Sequence, residues 1–344
     1  MRMTGYHPIL KGRQAELQAV SHVPDELAPH ILPIFDLPPS KHGPITDACT
    51  FSQRAQDSIP RDMVIAVDVR HLPEPTTGTR RPLRDIADDL HPWGIPALPV
   101  AHLNDTPAQL ADVRYSAAPY GGVLRLTADH TEPDDTETDA RLSHVLSATE
   151  LQPENCTLVI DVAEVASDRH LTTAEPLVRK HLVWAGRHPW KAVVVAAGAM
   201  PATISHVPAH TAIPLRRRDF DLWQRLKDHD IQFADYGVTY PGAGSGPRGP
   251  APNIRYTHQD AWWTYRAPRD GKGSGNTGIY DICQALVAAD HWPRTGRHFS
   301  WGDEQIALRA SRHAGPGTAT QWIAWATSHH LSYVADQLGL TAIA

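Results

Sequence analysis

Met63-Val64-Ile65-Ala66-Val67-Asp68 is a run of strand-forming residues, apolar on both faces, that ends on a carboxylate. Side chains alternate across a strand, so such a run fits a parallel strand covered on both sides. Val193-Val194-Val195 repeats the signal. Working outward, similar runs occupy 6–11, 31–36, 64–69, 95–101, 123–127, 157–162, 192–197 and 231–236. They recur roughly every 30 residues, the length of a strand with its crossover helix. The segments between them carry helical signals. Pro82 opens an apolar-periodic stretch as a first-turn proline, and Thr106-Pro107 pairs an N-cap with one. Segments 14–20, 26–30, 171–184 and 218–229 show apolar residues at helical spacing.

Eight runs with seven intervening helices predict an α/β chain closed into a (β/α)8 TIM-like barrel. An open doubly wound sheet is the alternative. No G-x-G-x-x-G follows the first run, which weakens a dinucleotide-binding reading. Beyond 236 the rhythm breaks. A Gly/Pro loop at 242–252 precedes an alternating segment, 253–266, that reads as an extra β-hairpin. Residues 277–290 are expected to be the eighth helix, with further helices near 302–312 and 318–338. The expected organisation is one barrel domain over 1–344. Within it, 242–276 forms a loop and hairpin insertion over the mouth, and 291–344 a C-terminal helical extension.

A hydrophobic fraction of 41% supports a sizeable core, and 30 prolines predict stiff, numerous loops. The net charge of −6 argues against broad nucleic-acid coating. Cys49, Cys156 and Cys283 form no C-x-x-C pair, so neither a disulfide framework nor a cysteine-rich zinc site is expected. No stretch approaches the ~20 apolar residues of a membrane span, and Met1–Tyr6 lacks a signal-peptide core. A soluble, cytoplasmic protein without membrane contact is the expectation. Nucleophile signatures such as G-x-S-x-G and H-E-x-x-H are absent.

The opening Tyr6-His7-Pro8-Ile9-Leu10-Lys11-Gly12-Arg13-Gln14-Ala15-Glu16 resembles the start of the beta protein family of phages and bacteria. Phe233-Ala234-Asp235-Tyr236-Gly237, Ile254-Arg255-Tyr256-Thr257, Phe299-Ser300-Trp301-Gly302-Asp303 and Trp322…Thr327-Ser328-His329-His330 follow in the family's order. Ala234 departs from the expected Gly, which bears on local backbone geometry only. The resemblance implies a connection to phage biology or host defence, with a phage or defence-system protein as possible partner. It supplies no catalytic assignment.

In a barrel, chemistry sits where the strands end. The run ends hold Lys11, Asp36, Asp68, Arg70, His102, Asp129, Asp161, Asp235 and Tyr236. Asp36, Asp68, Asp161 and Asp235 abut apolar residues, and a carboxylate there is costly unless paired or bound to a cation. Together they could bind Mg²⁺ or Mn²⁺. Asp68, Asp161, Asp235 and Lys11 are also the candidates for proton transfer. The plainer reading is that each Asp begins a turn or caps a helix. Parity matters, because a one-residue register error points a chosen Asp outward.

Arg13, Arg125, Tyr236, Arg255, Tyr256, His329 and His330 are candidates for holding a small anionic ligand or nucleotide. Arg125 lies between Leu124 and Leu126, so it could instead be an internal ion pair. Lys272-Gly273-Ser274-Gly275-Asn276-Thr277-Gly278 is read either as a phosphate-binding loop or as a connector. Arg216-Arg217-Arg218 is read as a solvated lead into the seventh helix.

Three functions fit these residues. One is a metal-dependent phosphoesterase-type hydrolase acting on a phosphate-containing or nucleotide-like ligand. The second is a non-catalytic binding or sensing component of a phage-related or anti-phage system. The third is a structural protein whose polar mouth is an ion-pair network.

Overall fold

The computed structural model describes residues 5–76, 78–118, 120–128, 135–242, 251–268 and 276–340. Asp129, Lys272–Gly275 of the glycine-rich segment, and 243–250 of the Gly/Pro loop lie outside them.

Eight parallel strands form one sheet: β1 (Ile9–Leu10), β2 (Ile34–Asp36), β3 (Ile65–Asp68), β4 (Ala97–Ala101), β5 (Gly122–Thr127), β6 (Cys156–Glu164), β7 (Ala192–Gly198) and, after a short β8 (Ile213–Arg216), β9 (Gln232–Ala234). β8 belongs to another sheet. The cylinder closes where Tyr6 pairs in parallel with Phe233, with His7 N donating to Phe233 O at 2.9 Å and Ile9 N to Asp235 O at 2.7 Å. The chain is therefore a (β/α)8 barrel.

Alternation along each strand decides where side chains go. Ile9, Ile34, Ala66, Leu98, Val123, Val159, Val194 and Ala234 fill the interior. Their strand neighbours Leu10, Phe35, Val67, Leu124, Leu158 and Val195 face the surrounding helices. That two-sided burial is what the continuous apolar runs encode. Six helices follow the strands: α1 (Gln14–Val20), α2 (Pro44–Ser58), α3 (Pro82–Leu90), α4 (Pro107–Ala117), α5 (Asp135–Thr149) and α6 (Asp168–Ala185). α7 (Arg218–Arg225) leads into β9.

β10 (Asn253–His258) and β11 (Ala261–Arg266) form the expected hairpin. The edge it acquires from β8 was not read from sequence, because Pro214 and the arginines mask a four-residue strand. Three helices follow: α8 (Gly278–Val287), α9 (Trp301–Ala310) and α10 (Ala319–Gln337). The rhythm assigns the eighth barrel helix to 277–290. In the structure α8 packs on α9 and the hairpin, whereas α10 packs along α1. Leu331, Val334 and Ala335 of α10 join the core around Tyr6, Leu17 and Phe233. The residues between β9 and α10 thus form a small satellite unit, whose core around Trp262 and Ile282 is completed by Trp322 and Trp325 from the N-terminal half of α10. Gly302 lets α9 approach α10 closely, since a Cβ there would lie 2.1 Å from the Trp325 carbonyl oxygen. No helix among the described residues is long and apolar enough to cross a membrane.

Candidate functional site

The interior parity that buries Ile34, Ala66, Val123, Val159 and Ala234 also turns Asp36, Asp68, Arg125, Asp161 and Tyr236 inward at the mouth. Arg125 is the hub. Its Nη1 donates to Asp68 Oδ2 at 2.8 Å and lies 3.3 Å from Asp36 Oδ2. Its Nε donates to Asp161 Oδ2 at 2.9 Å, and its Nη2 to the Tyr236 hydroxyl at 2.8 Å. That hydroxyl donates onward to Asp161 Oδ2 at 2.7 Å. Burial works against the Arg125 charge, yet Tyr236, Asp161, Asp68 and Asp36 together hold it above its ordinary range.

Each inward Asp of β3 and β6 also begins a turn. Asp68 Oδ1 accepts from Arg70 N at 3.0 Å, and Asp161 Oδ1 from Ala163 N at 2.8 Å. Each of these two carboxylates thus gives one oxygen to its turn and the other to Arg125. Burial would raise the Asp68 carboxyl. The His102 charge and hydrogen bond, then Arg125 and Arg70, instead hold it well below the usual carboxylate range.

Lys11 reaches the mouth from the end of β1, because Gly12, at φ 60°, turns the chain there into α1. A Cβ at Gly12 would lie 2.6 Å from Leu37 Cδ2. Lys11 Nζ donates to the carbonyls of Pro241 and Gly242. Burial lowers its ammonium, partly offset by Asp36 and Glu16. Arg13 caps α1 through its backbone N–H on Glu16, and its Nη2 is buried with no hydrogen-bond partner.

A divalent ion does not fit this donor set. The guanidinium already sits among Asp36, Asp68 and Asp161, and those three acids face the three cations Arg125, Arg70 and Lys11. Among the described residues no group of three or more His, Cys, Asp or Glu could hold a metal ion.

Asp235 is separated from this ring by parity. Ala234 and Tyr236 face inward, so Asp235 faces out, toward the satellite unit. Its Oδ1 accepts from the Tyr6 hydroxyl at 2.8 Å and Gly237 N at 3.0 Å, while His330 Nε2 lies 2.9 Å from Oδ2. His330 Nδ1 meets Thr257 Oγ1 at 2.7 Å. On α9, Asp303 accepts from the Tyr256 hydroxyl at 2.6 Å and lies 2.9 Å from His329 Nδ1. His329 Nε2 then reaches Thr257 O at 2.8 Å. Tyr256, His329 and His330 are fully buried, so the structure places them in a seam joining barrel to satellite. Arg255 donates to Val238 O at 2.6 Å, and burial lowers its guanidinium to about 10. The segments that carry the family resemblance meet along this seam.

Arg217, read from sequence as solvated, is fully buried beside it. Its guanidinium lies 3.6 Å from Asp235 Oδ2 and 3.8 Å from Asp219 Oδ2, over the rings of Phe220, Phe233 and Trp262. Burial and the Asp235 charge outweigh Arg217 and raise the Asp219 carboxyl to about 7. The folded chain therefore holds a proton there that the unfolded chain releases from about pH 4 upward. That contribution is complete below the unfolded value and is lost as pH rises through about 7. Asp219→Asn is expected to stabilise the protein by roughly 1–3 kcal/mol at pH 8 and by much less at pH 5. Urea unfolding at the two pH values checks it, and an equal shift at both would contradict it.

His102 and Arg70 stand at run ends to which the sequence alone assigns no role. The signal was available: His102 continues the inward parity of Leu98 and Val100. His102 Nε2 lies 3.0 Å from Asp68 Oδ2, and its backbone N donates to Asp105 at 2.8 Å. Arg70 is partly exposed and stands 3.8 Å from both Asp36 and Asp68. Beside this pair a cleft opens between the ends of β3 and β4, walled by Leu72, Pro73, Leu83 and Val113 and reaching Asp105 and Gln109.

The family model described as Beta protein matches residues 6–336. No curated protein matches the chain.

Proposed function

The chain belongs to the Beta protein family, and from its own residues we propose that this barrel is an acid–base hydrolase of a small phosphate-containing ligand, with its reactive pair at Asp68 and His102. The observation that carries the reading is the imidazole held on an ionised carboxylate at the lip of a cleft, 3.0 Å away. A carboxylate so placed orients the imidazole and fixes which ring nitrogen is left to take a proton, as a general base requires. Arg70 is the cation left to meet an anion, because its ion pairs are long while Arg125 is fully engaged. Asp161, Tyr236 and Arg125 hold the carboxylates in place rather than touch the ligand. Asp105, whose carboxyl burial raises, can supply the acid. The cysteines are unpaired, which agrees with work in a reducing cytoplasm.

A second reading, ligand or partner sensing in a phage-related or anti-phage setting, is favoured by the saturation of the mouth. Every carboxylate of the ring has a cation facing it. Incubating the purified chain with phosphomonoesters, phosphodiesters and nucleotides, in chelator, separates the two. Phosphate release supports the hydrolase. Tight binding without release supports sensing and overturns the catalytic reading.

A further inference from the structure

We propose that Arg255 anchors a phosphate group at the loops that follow β7 and β9, a second anion site independent of the Asp68–His102 reading. Alternation along β10 puts Asn253, Arg255 and Thr257 on one face of the hairpin. That face looks at the barrel: Thr257 meets His330, and Arg255 Nη1 donates to the Val238 carbonyl, just past β9, at 2.6 Å. This bond uses one end of the guanidinium and leaves the opposite edge unused. Arg255 is half-buried. Among the described residues its Nε, closed off from solvent, has no acceptor, and Nη2 beside it has none either.

The missing partner is an anion. Arg125 faces Asp36, Asp68 and Asp161, and Arg217 faces Asp219 and Asp235. Burial works against the Arg255 charge as well, and no charged group among the described residues offsets it. The sequence gives the reason: 199–212, after β7, and 236–259, after β9, contain no Asp or Glu. Glu164, which reaches the second loop from β6, accepts from the Tyr240 hydroxyl at 3.1 Å and does not act on Arg255. Arg266, diagonal to Arg255 on the same face, donates to the carbonyls of Ser205 at 3.3 Å and Val207 at 3.0 Å, in the loop after β7. Two arginines thus border acid-free loops at the ends of the seventh and eighth barrel strands, where such barrels frequently bind phosphate. Phosphate oxygens on the Nε–Nη2 edge supply both the acceptor and the charge that are lacking, in the fork geometry a guanidinium prefers. Arg70 follows β3, across the ring from these loops, so the two sites are distinct.

Titration of the whole protein with inorganic phosphate, following the arginine Nε–H signals by NMR, tests this. The signal that is absent from Arg255→Lys is expected to shift and saturate, with the same midpoint in Arg70→Met. Lysine keeps a donor for the Val238 carbonyl but lacks the fork. In the Arg70→Met background, Arg255→Lys is therefore expected to raise the phosphate concentration needed for thermal stabilisation about tenfold or more, the worth of one charge-assisted hydrogen bond. An Arg255 signal that does not move with phosphate overturns the site and leaves the Asp68–His102 reading intact. A signal that moves in the parent but not in Arg70→Met puts the phosphate at the other site and overturns this one. A response to acetate at lower concentration than to phosphate overturns the choice of phosphate.

Discussion

Arg125→Met is expected to cost the barrel about 3–5 kcal/mol at pH 7, the range for removing one partner of a buried charge cluster. Methionine roughly conserves volume, so the loss reports charge and hydrogen bonds rather than a cavity. The guanidinium donates to Asp68, Asp161 and Tyr236 and stands 3.3 Å from Asp36. Its removal leaves buried carboxylates facing one another. Arg70 stays partly exposed and 3.8 Å away, and cannot replace it. The pH dependence carries the sign. In the native protein Asp68 is held well below the usual carboxylate range, so its contribution is present above the unfolded value near 4 and is lost as pH falls. In Arg125→Met that acid-side loss is expected to flatten, and the deficit to shrink toward pH 4. Arg125→Lys keeps the charge but not the fork, and is expected to fall between the two. Chemical unfolding across pH measures all three. A melting curve for Arg125→Met that overlays the parent would show that the ring contributes nothing to stability.

Why that cluster was legible, and the seam was not, follows from periodicity. Runs such as Met63–Val67 are apolar on both faces because one face fills the cylinder and the other meets helices, so fold class could be read from composition along the strand. The same alternation places Asp36, Asp68, Asp161 and Tyr236 on the inner face. It sends Asp235 to the other side, although all four acids look alike as strand-end residues. One residue of register separates a mouth ligand from a buried seam. His329 and His330 were unreadable for a different reason. Their partners Asp303, Thr257 and Asp235 come from three separate elements, and only the docking of α10 brings them together. The eighth helix was misassigned because a satellite unit with its own core stands between β9 and α10, and period counting takes the first helix it meets.

Replacing His102 by Gln is expected to lower phosphate release by about 10²–10⁴-fold, the usual worth of a general base. Glutamine keeps a polar end of similar reach, so Asp68 retains a hydrogen-bond donor and the fold should survive. What disappears is the capacity to take a proton. Asp68→Asn removes the charge that aligns the imidazole, and is expected to reduce turnover comparably. It also disturbs Arg125, whose Nη1 donates to the same carboxylate at 2.8 Å, so its stability must be measured beside its rate. The His102 ring meets Asp68 and its backbone serves Asp105, so its replacement leaves the Arg125 hydrogen bonds in place. Loss of rate in His102→Gln with unchanged ligand affinity, and with a smaller loss of stability than Arg125→Met shows, is the diagnostic combination. Asp105 adds a direction. Burial raises its carboxyl, so a step that needs its proton slows as pH rises, and Asp105→Asn should remove that slope. Should His102→Gln turn over within a few-fold of the parent, the dyad is a structural contact, and the cleft binds its ligand without chemistry.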